Sequence, residues 1–203
     1  MDMVSNGLDN ATLLEYKAQL KQFEKGEIIF QEGSLPRYFY QVVEGCVKMV
    51  SNGEDGKSYT QGVFTDGFCF GEPPLILDEP YPASAIGVTH GVYLRLPKSS
   101  FETMLQERPD MCRDLNKLLA AKTYEKSKRN TMLTGQAPEF KIQFILDDIK
   151  KKQGSEKNSK CQICLTRQEI ADFTGLRVET VIRTLKRMEQ ESKIEIRNRK
   201  LYY

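Results

Sequence analysis

The chain has 203 residues, 39% of them hydrophobic and 29% charged, which fits a soluble globular protein and excludes a disordered chain. No apolar run approaches the roughly 20 residues that cross a bilayer, and two modest cores fit the length better than one. The start, MDMVSNGLDN, lacks the basic and apolar blocks of a secretory signal, and five cysteines form an odd set without a framework; both lead us to expect a cytoplasmic protein with no membrane partner.

In chain order, residues 11–22 (ATLLEYKAQLKQ) have the spacing of a short amphipathic helix. From Glu27 to about Leu96 short apolar runs alternate with polar residues and are punctuated by glycine, which predicts an antiparallel barrel or roll. Within it, Asn52-Gly53 and Asp55-Gly56 are hairpin-turn signals. Over 98–133 the period becomes helical, through Phe101, Leu105, Met111, Leu115, Leu118 and Leu119, with Pro109 placed to open a second, longer helix. Its apolar seam fades after Ala121. A long helix leaving a barrel commonly packs on a symmetry mate. GQAP at 135–138 reads as a break, after which Ile142, Ile145, Leu146 and Ile149 resume helical spacing and KKKQGSEKNSK forms a polar connection. We therefore expect an α+β chain with a jelly-roll-like unit over 1–108, a long helix over 109–134 and a third unit over 138–203.

The third unit carries the chemistry. In LTRQEIADFTGLRVETVIRTLKRM, Thr166 and Glu169 have capping-box spacing, and Ile170 and Phe173 supply an inner face. Gly175 stands where the first helix must end. On the second helix Val181, Leu185 and Met188 face inward, leaving Glu179, Ile182, Arg183 and Lys186 as an outer stripe. Two short helices joined by a glycine-containing turn describe a helix-turn-helix, whose second helix fits the DNA major groove. The tail KIEIRNRKLYY alternates about Arg197-Asn198 as a small hairpin, making the unit a winged helix; Arg197, Arg199 and Lys200 near its tip suit phosphate contacts. Winged helices also serve as protein-interaction modules, so a scaffold protein stands as the alternative. Charge favours double-stranded DNA: residues 141–203 hold 15 Lys+Arg against 9 Asp+Glu, while residues 1–140 hold 15 against 19. An outward arginine can bond guanine O6 and N7, a glutamate can accept from cytosine N4, and an isoleucine can pack on a thymine methyl.

These segments, with FEKGEIIFQEGSLPRYFYQVVEGCVKMV and DGKSYTQGVFTDGFCFGE, resemble the cyclic-AMP receptor protein and FNR (Crp/Fnr) superfamily of bacterial transcription regulators over nearly the whole chain. The resemblance implies a homodimer joined along the long helix, a cyclic-nucleotide-binding-like roll, RNA polymerase as a partner, and two recognition helices on a pseudo-palindromic site. Glu179 and Arg183 take the family's base-reading positions, with Val178 and Ile182 at variable ones; Arg177, Thr180 and Lys186 complete the DNA-facing set, and Arg167 and Gln168 match phosphate-contact positions. The run VET followed by Arg183 is closer to the FNR-type pattern, which has serine where Ile182 stands, and implies TTGA-like half-sites.

The roll departs from the pattern of cyclic-nucleotide binders, in which a glycine-glutamate pair holds the ribose and an arginine neutralises the phosphate. Gly71, Glu72 and Ser84 are in place, but the arginine position holds Ala83 or Pro82. A buried phosphate without a cation costs several kcal/mol. We therefore expect an unidentified small-molecule effector or none; a cyclic-nucleotide-responsive activator is the rival. At Glu72, backbone donors are expected to satisfy the carboxylate. Cys46 stands alone, so an FNR-type iron–sulfur cluster is not expected, and Cys161-Gln-Ile-Cys164 lacks the second pair that a zinc site needs. Cys69 and Cys112 read as small core fillers and His90 as a turn residue. No cofactor is expected, and no convergent set of catalytic groups suggests an enzyme.

Overall fold

In this computed structural model residues 7–53, 58–133, 135–152 and 160–203 are described. The first helix, α1 (Asn10–Glu15), is capped by the Asp9 carboxylate, which accepts from the Thr12 backbone N–H at 2.8 Å. The helix expected over 11–22 is therefore cut short. Lys17 takes a φ of 70°, and Gln19–Phe23 become β1, paired antiparallel with β8 (Gly91–Pro97) along its whole length. Helical spacing in ATLLEYKAQLKQ carries no information about a distant strand that offers its backbone.

Among the described residues, eight strands form two four-stranded antiparallel sheets. One is ordered β1, β8, β3 (Tyr38–Glu44), β6 (Cys69–Phe70); the other is β2 (Ile28–Phe30), β7 (Ser84–Gly87), β4 (Val47–Asn52), β5 (Ser58–Phe64). Asn52 pairs with Ser58, so β4 and β5 are the expected hairpin; Asp55-Gly56 lies outside the described residues. Alternating side chains point between the sheets. There Phe23, Phe30, Tyr40, Phe70, Tyr81 and Tyr93 share one buried cluster with Ala83 and Ala85.

A short helix, α2 (Glu72–Leu77), follows β6 and begins at Gly71. After the roll come α3 (Lys98–Glu107) and α4 (Pro109–Leu133), which starts at the proline as expected. The first half of α4 turns its apolar seam inward: Met111, Leu115 and Leu118 are buried with Phe39, Leu94, Leu96, Phe101 and Met104 of the same chain. Residues 123–128 are exposed. A helix of 25 residues is about 37 Å long, so its far half extends beyond this core.

The remainder comprises α5 (Pro138–Lys152), β9 (Gln162–Ile163), α6 (Arg167–Thr174), α7 (Val178–Gln190), β10 (Glu195–Arg197) and β11 (Lys200–Tyr202). The polar connection expected after α5 falls largely outside the described residues. Ile142, Ile145, Leu146 and Ile149 are buried against Ile170, Phe173, Val181, Leu185 and Met188. The three strands are ordered β10, β11, β9, and the wing turn lies one residue later than expected. Asn198 and Arg199, at φ of 49° and 65°, occupy the turn, because a two-residue type I′ hairpin needs positive φ at both central positions. This second core reaches the roll: Cys46, Val63 and Val88 belong to the same apolar cluster. Beside it, the Lys48 ammonium donates to Glu169 Oε1 at 2.6 Å.

Candidate nucleic-acid interface and roll interior

The helix-turn-helix is built by local rules. Thr166 Oγ1 accepts from the Glu169 N–H at 3.2 Å, and Glu169 Oε2 accepts from the Thr166 N–H at 2.7 Å, closing the expected capping box. Gly175 ends α6 at a φ of 67°, where a side chain would be strained. The chain then re-enters a helix with Arg177 at the N-cap of α7.

Val181, Thr184, Leu185 and Met188 bury one face of α7. Glu179, Ile182, Arg183 and Lys186 are exposed on the other, Ile182 at 43%. Arg177 is also exposed, while Val178 and Thr180 are half-buried at the edge. Among the described residues Glu179, Arg183 and Lys186 form no ion pair. One turn further along, Arg187 is bound to Glu139 of α5, and Lys193 reaches the same carboxylate at 2.6 Å. Those two cations hold Glu139 below the usual carboxylate range and act as braces. Of the residues expected near α6, Gln168 donates to Asp172 at 2.8 Å. Arg167 spends a guanidinium nitrogen on the Arg199 carbonyl at 2.6 Å, which ties the wing turn to the start of α6.

The roll interior is different. Glu72 is 1% exposed, and its Oε1 accepts from the Lys122 ammonium of α4 at 2.7 Å. The expectation that backbone donors satisfy Glu72 is thus corrected: a side chain from the long helix does so, and Oε2 has no partner among the described residues. Lys122 Nζ also donates to the Cys69 carbonyl at 2.7 Å and lies 3.3 Å from Cys69 Sγ. Burial opposes the charge of Lys122, but the Cys69 sulfur and the Glu72 carboxylate beside it outweigh this and hold its pKa above the ordinary lysine value. Cys69 is more than a filler: burial, with the carboxylate alongside, pushes its thiol up to about 12. Lys122 could have been found in the sequence, since it continues the 4-3-4 spacing of Met111, Leu115 and Leu118.

Ala83 is fully buried, and the Ser84 hydroxyl accepts from the Glu32 backbone N–H at 2.9 Å. Beside them the Phe30 and Tyr81 rings stack with centroids 3.7 Å apart, and a Cβ on Gly71 would come within 2.9 Å of Phe30. These residues do not fit a cyclic-nucleotide phosphate. The arginine position is alanine, the nearby cation is already paired, and parting one aromatic pair forfeits about 0.5–1.5 kcal/mol beyond burial. The Tyr81 hydroxyl is buried without a partner among the described residues.

Other candidates resolve simply. His90 is exposed in the turn between β7 and β8. Cys112 is only half-buried. No group of three metal-ligating side chains occurs among the described residues, and none of their helices is long and apolar enough to cross a membrane.

An eight-stranded roll, a long helix and a winged helix-turn-helix with an uncommitted charged face define a two-part DNA-binding protein. The cyclic nucleotide-binding domain family matches residues 20–108, and the Crp-like helix-turn-helix domain family matches residues 142–202. The nitrogen fixation regulation protein FixK of Bradyrhizobium diazoefficiens is 27% identical over 95% of this chain and 82% of its own. The transcriptional activatory protein AadR of Rhodopseudomonas palustris is 25% identical over 90% and 76%. In fold, FixK2 from Bradyrhizobium japonicum superimposes with a TM-score of 0.80 at 20% identity, covering 91% of each chain. The chain belongs to the Crp/Fnr superfamily of DNA-binding transcription regulators.

Proposed function

We propose that the protein acts as a homodimer whose two α7 helices enter successive major grooves of a pseudo-palindromic site with TTGA-like half-sites. The observation that carries this is the α7 stripe: Glu179, Arg183 and Lys186 are exposed and form no ion pair among the described residues, whereas Glu139, Glu169 and Glu195 of the same unit are each bound to a cation. Glu179 and Arg183 stand one helical turn apart and read one G·C pair, with Ile182 against a thymine methyl. Lys186, Arg177, Gln168 and the wing residues Arg199 and Lys200 contact phosphates, Arg197 is held by Glu195 and reaches a phosphate only on leaving it, and Arg167 positions the wing. Val178 and Thr180 border the contact. The roll with α2 and α3 forms one unit over 1–108, α4 over 109–134 is the dimer helix, and the winged unit spans 138–203. Since Met111, Leu115 and Leu118 are used within the chain, the partner helix meets the other faces of α4. RNA polymerase is the downstream partner.

Fluorescence anisotropy with a labelled TTGA palindrome tests the reading. Affinity should fall steeply between 50 and 200 mM salt, by orders of magnitude if about six or more phosphates are neutralised. No binding to the palindrome or to bulk DNA at low salt would sink it and favour the scaffold alternative. Cyclic AMP and cyclic GMP should leave the curve unchanged. An effector reaching the unpartnered Glu72 Oε2 and Tyr81 hydroxyl has to part the Phe30–Tyr81 stack, and those two groups suit an uncharged, polar small molecule better than a phosphate. Native mass spectrometry of the purified protein checks this: a retained small molecule supports it, and the bare chain mass argues for effector-independent binding.

A further inference from the structure

The sequence directs attention to Cys161 and Cys164 as a pair, but the structure gives Cys164 another sulfur as its contact. The two flank the short strand β9, and both pack against the core of the winged unit. The Cys161 backbone exchanges hydrogen bonds with Tyr203 at 2.9 and 3.0 Å, which fixes that segment against the last residue of the chain. Cys164 meets a different thiol: its Sγ lies 3.3 Å from Sγ of Cys46, the residue just before β4 and 118 positions away in sequence. Both are reduced; Cys46 is buried and Cys164 half-buried.

Two sulfurs at 3.3 Å are in van der Waals contact, and a shift of little more than 1 Å would bring them to disulfide length, near 2.05 Å. The same separation is short for two thiolates sharing a metal, and the described residues supply no third ligand. Their surroundings are already held in register. Lys48, two positions from Cys46, is bonded to Glu169 of α6, and Cys46, Val63 and Val88 lie in one apolar cluster with Ile170 and Phe173.

We propose that Cys46 and Cys164 are an oxidation site, closing to a disulfide that fastens the winged unit to the outer face of the roll. The oxidant is a hydroperoxide. The Cys164 thiolate, the more accessible sulfur, attacks the peroxide oxygen, giving a sulfenic acid and releasing the alcohol, or water from hydrogen peroxide. The Cys46 sulfur then attacks the Cys164 sulfur, forming the S–S bond and expelling the sulfenic oxygen as water. Two thiols lose two electrons and two protons in all, and the peroxide O–O bond takes them up. The bond closes a loop of more than a hundred residues, so it removes much freedom from the unfolded chain and prevents α6 from leaving β4 and β5.

The full-length protein treated with hydrogen peroxide and digested without reductant should yield a cross-linked peptide pair containing Cys46 and Cys164. C161S should retain it, and C46S and C164S should lose it. Melting of the treated protein should rise by roughly 5 °C or more and return on adding dithiothreitol, in wild type and C161S alone. A Cys161–Cys164 link, an intermolecular link, or sulfinic and sulfonic acids without a link would each overturn the proposal. So would a cross-link that leaves melting unchanged. None of these measurements contains DNA, so their failure is separate from failure of the DNA-reading proposal.

Discussion

The roll interior and the outer face of α7 treat charge in opposite ways. Inside the roll, Glu72 and Lys122 are spent on each other, and the space beside them is filled by Phe30, Tyr40, Phe70 and Tyr81. On α7, Glu179, Arg183 and Lys186 face solvent with no partner among the described residues. A buried pair is costly to break because each ion has given up its water, whereas an exposed unpaired charge costs its own chain little and is available to a polyanion. The surface meant for a ligand is therefore recognised by what the protein leaves undone.

The strongest way to break this contrast is Lys122→Met. It strands a buried carboxylate and should cost about 3 kcal/mol, read as a lower urea midpoint. Adding Glu72→Gln should recover most of the loss; if the single change is neutral, the pair does not hold α4 to the roll. Next is Arg183→Ala, expected to leave the urea midpoint unchanged while costing about 1–3 kcal/mol of DNA binding and relaxing preference at one G·C pair. Preserved specificity would remove Arg183 from the reading set.

A bridge of intermediate character sharpens the comparison. Burial alone would raise the Glu169 pKa, but the Lys48 ammonium and the Thr166 N–H outweigh it and hold the carboxyl below its ordinary 4.5. A lowered carboxylate stabilises the fold above its unfolded value and loses that contribution as pH falls through the folded value. Stability should thus decline below about pH 4.5, and Lys48→Met should flatten the decline by about 1 kcal/mol, as measured by urea titrations at several pH values. The smallest effect, a few tenths of a kcal/mol to about 1 kcal/mol, belongs to Ile182. Replacing thymine by uracil in the half-site should weaken wild type but not Ile182→Ala in anisotropy titrations. Equal losses in both would place the methyl elsewhere.

Short-range chemistry made much of this legible. The Thr166–Glu169 box, Gly175 and the two faces of α7 follow from spacings within one or two helical turns, and the structure reproduces them. Pro109 opened α4 for the same reason. What failed depended on distant partners. Gln19–Phe23 became a strand because β8 lies beside it, the wing turn moved to Asn198-Arg199 because hairpin geometry selected it, and Cys164 found Cys46 rather than Cys161. Lys122 is an intermediate case: its position on the Met111–Leu118 stripe was visible, but nothing local said that a carboxylate waited beneath it.

The Lys122–Glu72 pair also bears on how readily this scaffold could be placed under the control of a phosphate-bearing ligand. Restoring arginine at Ala83 alone would put a second cation into a site whose carboxylate is already taken and whose volume Phe30 and Tyr81 occupy. A redesign would have to release Glu72 from α4, open the aromatic stack and supply the arginine together. Each change by itself destabilises the roll, so a stepwise route passes through weakened intermediates. The arrangement that holds the long helix in place thus also sets a barrier against acquiring ligand control one substitution at a time.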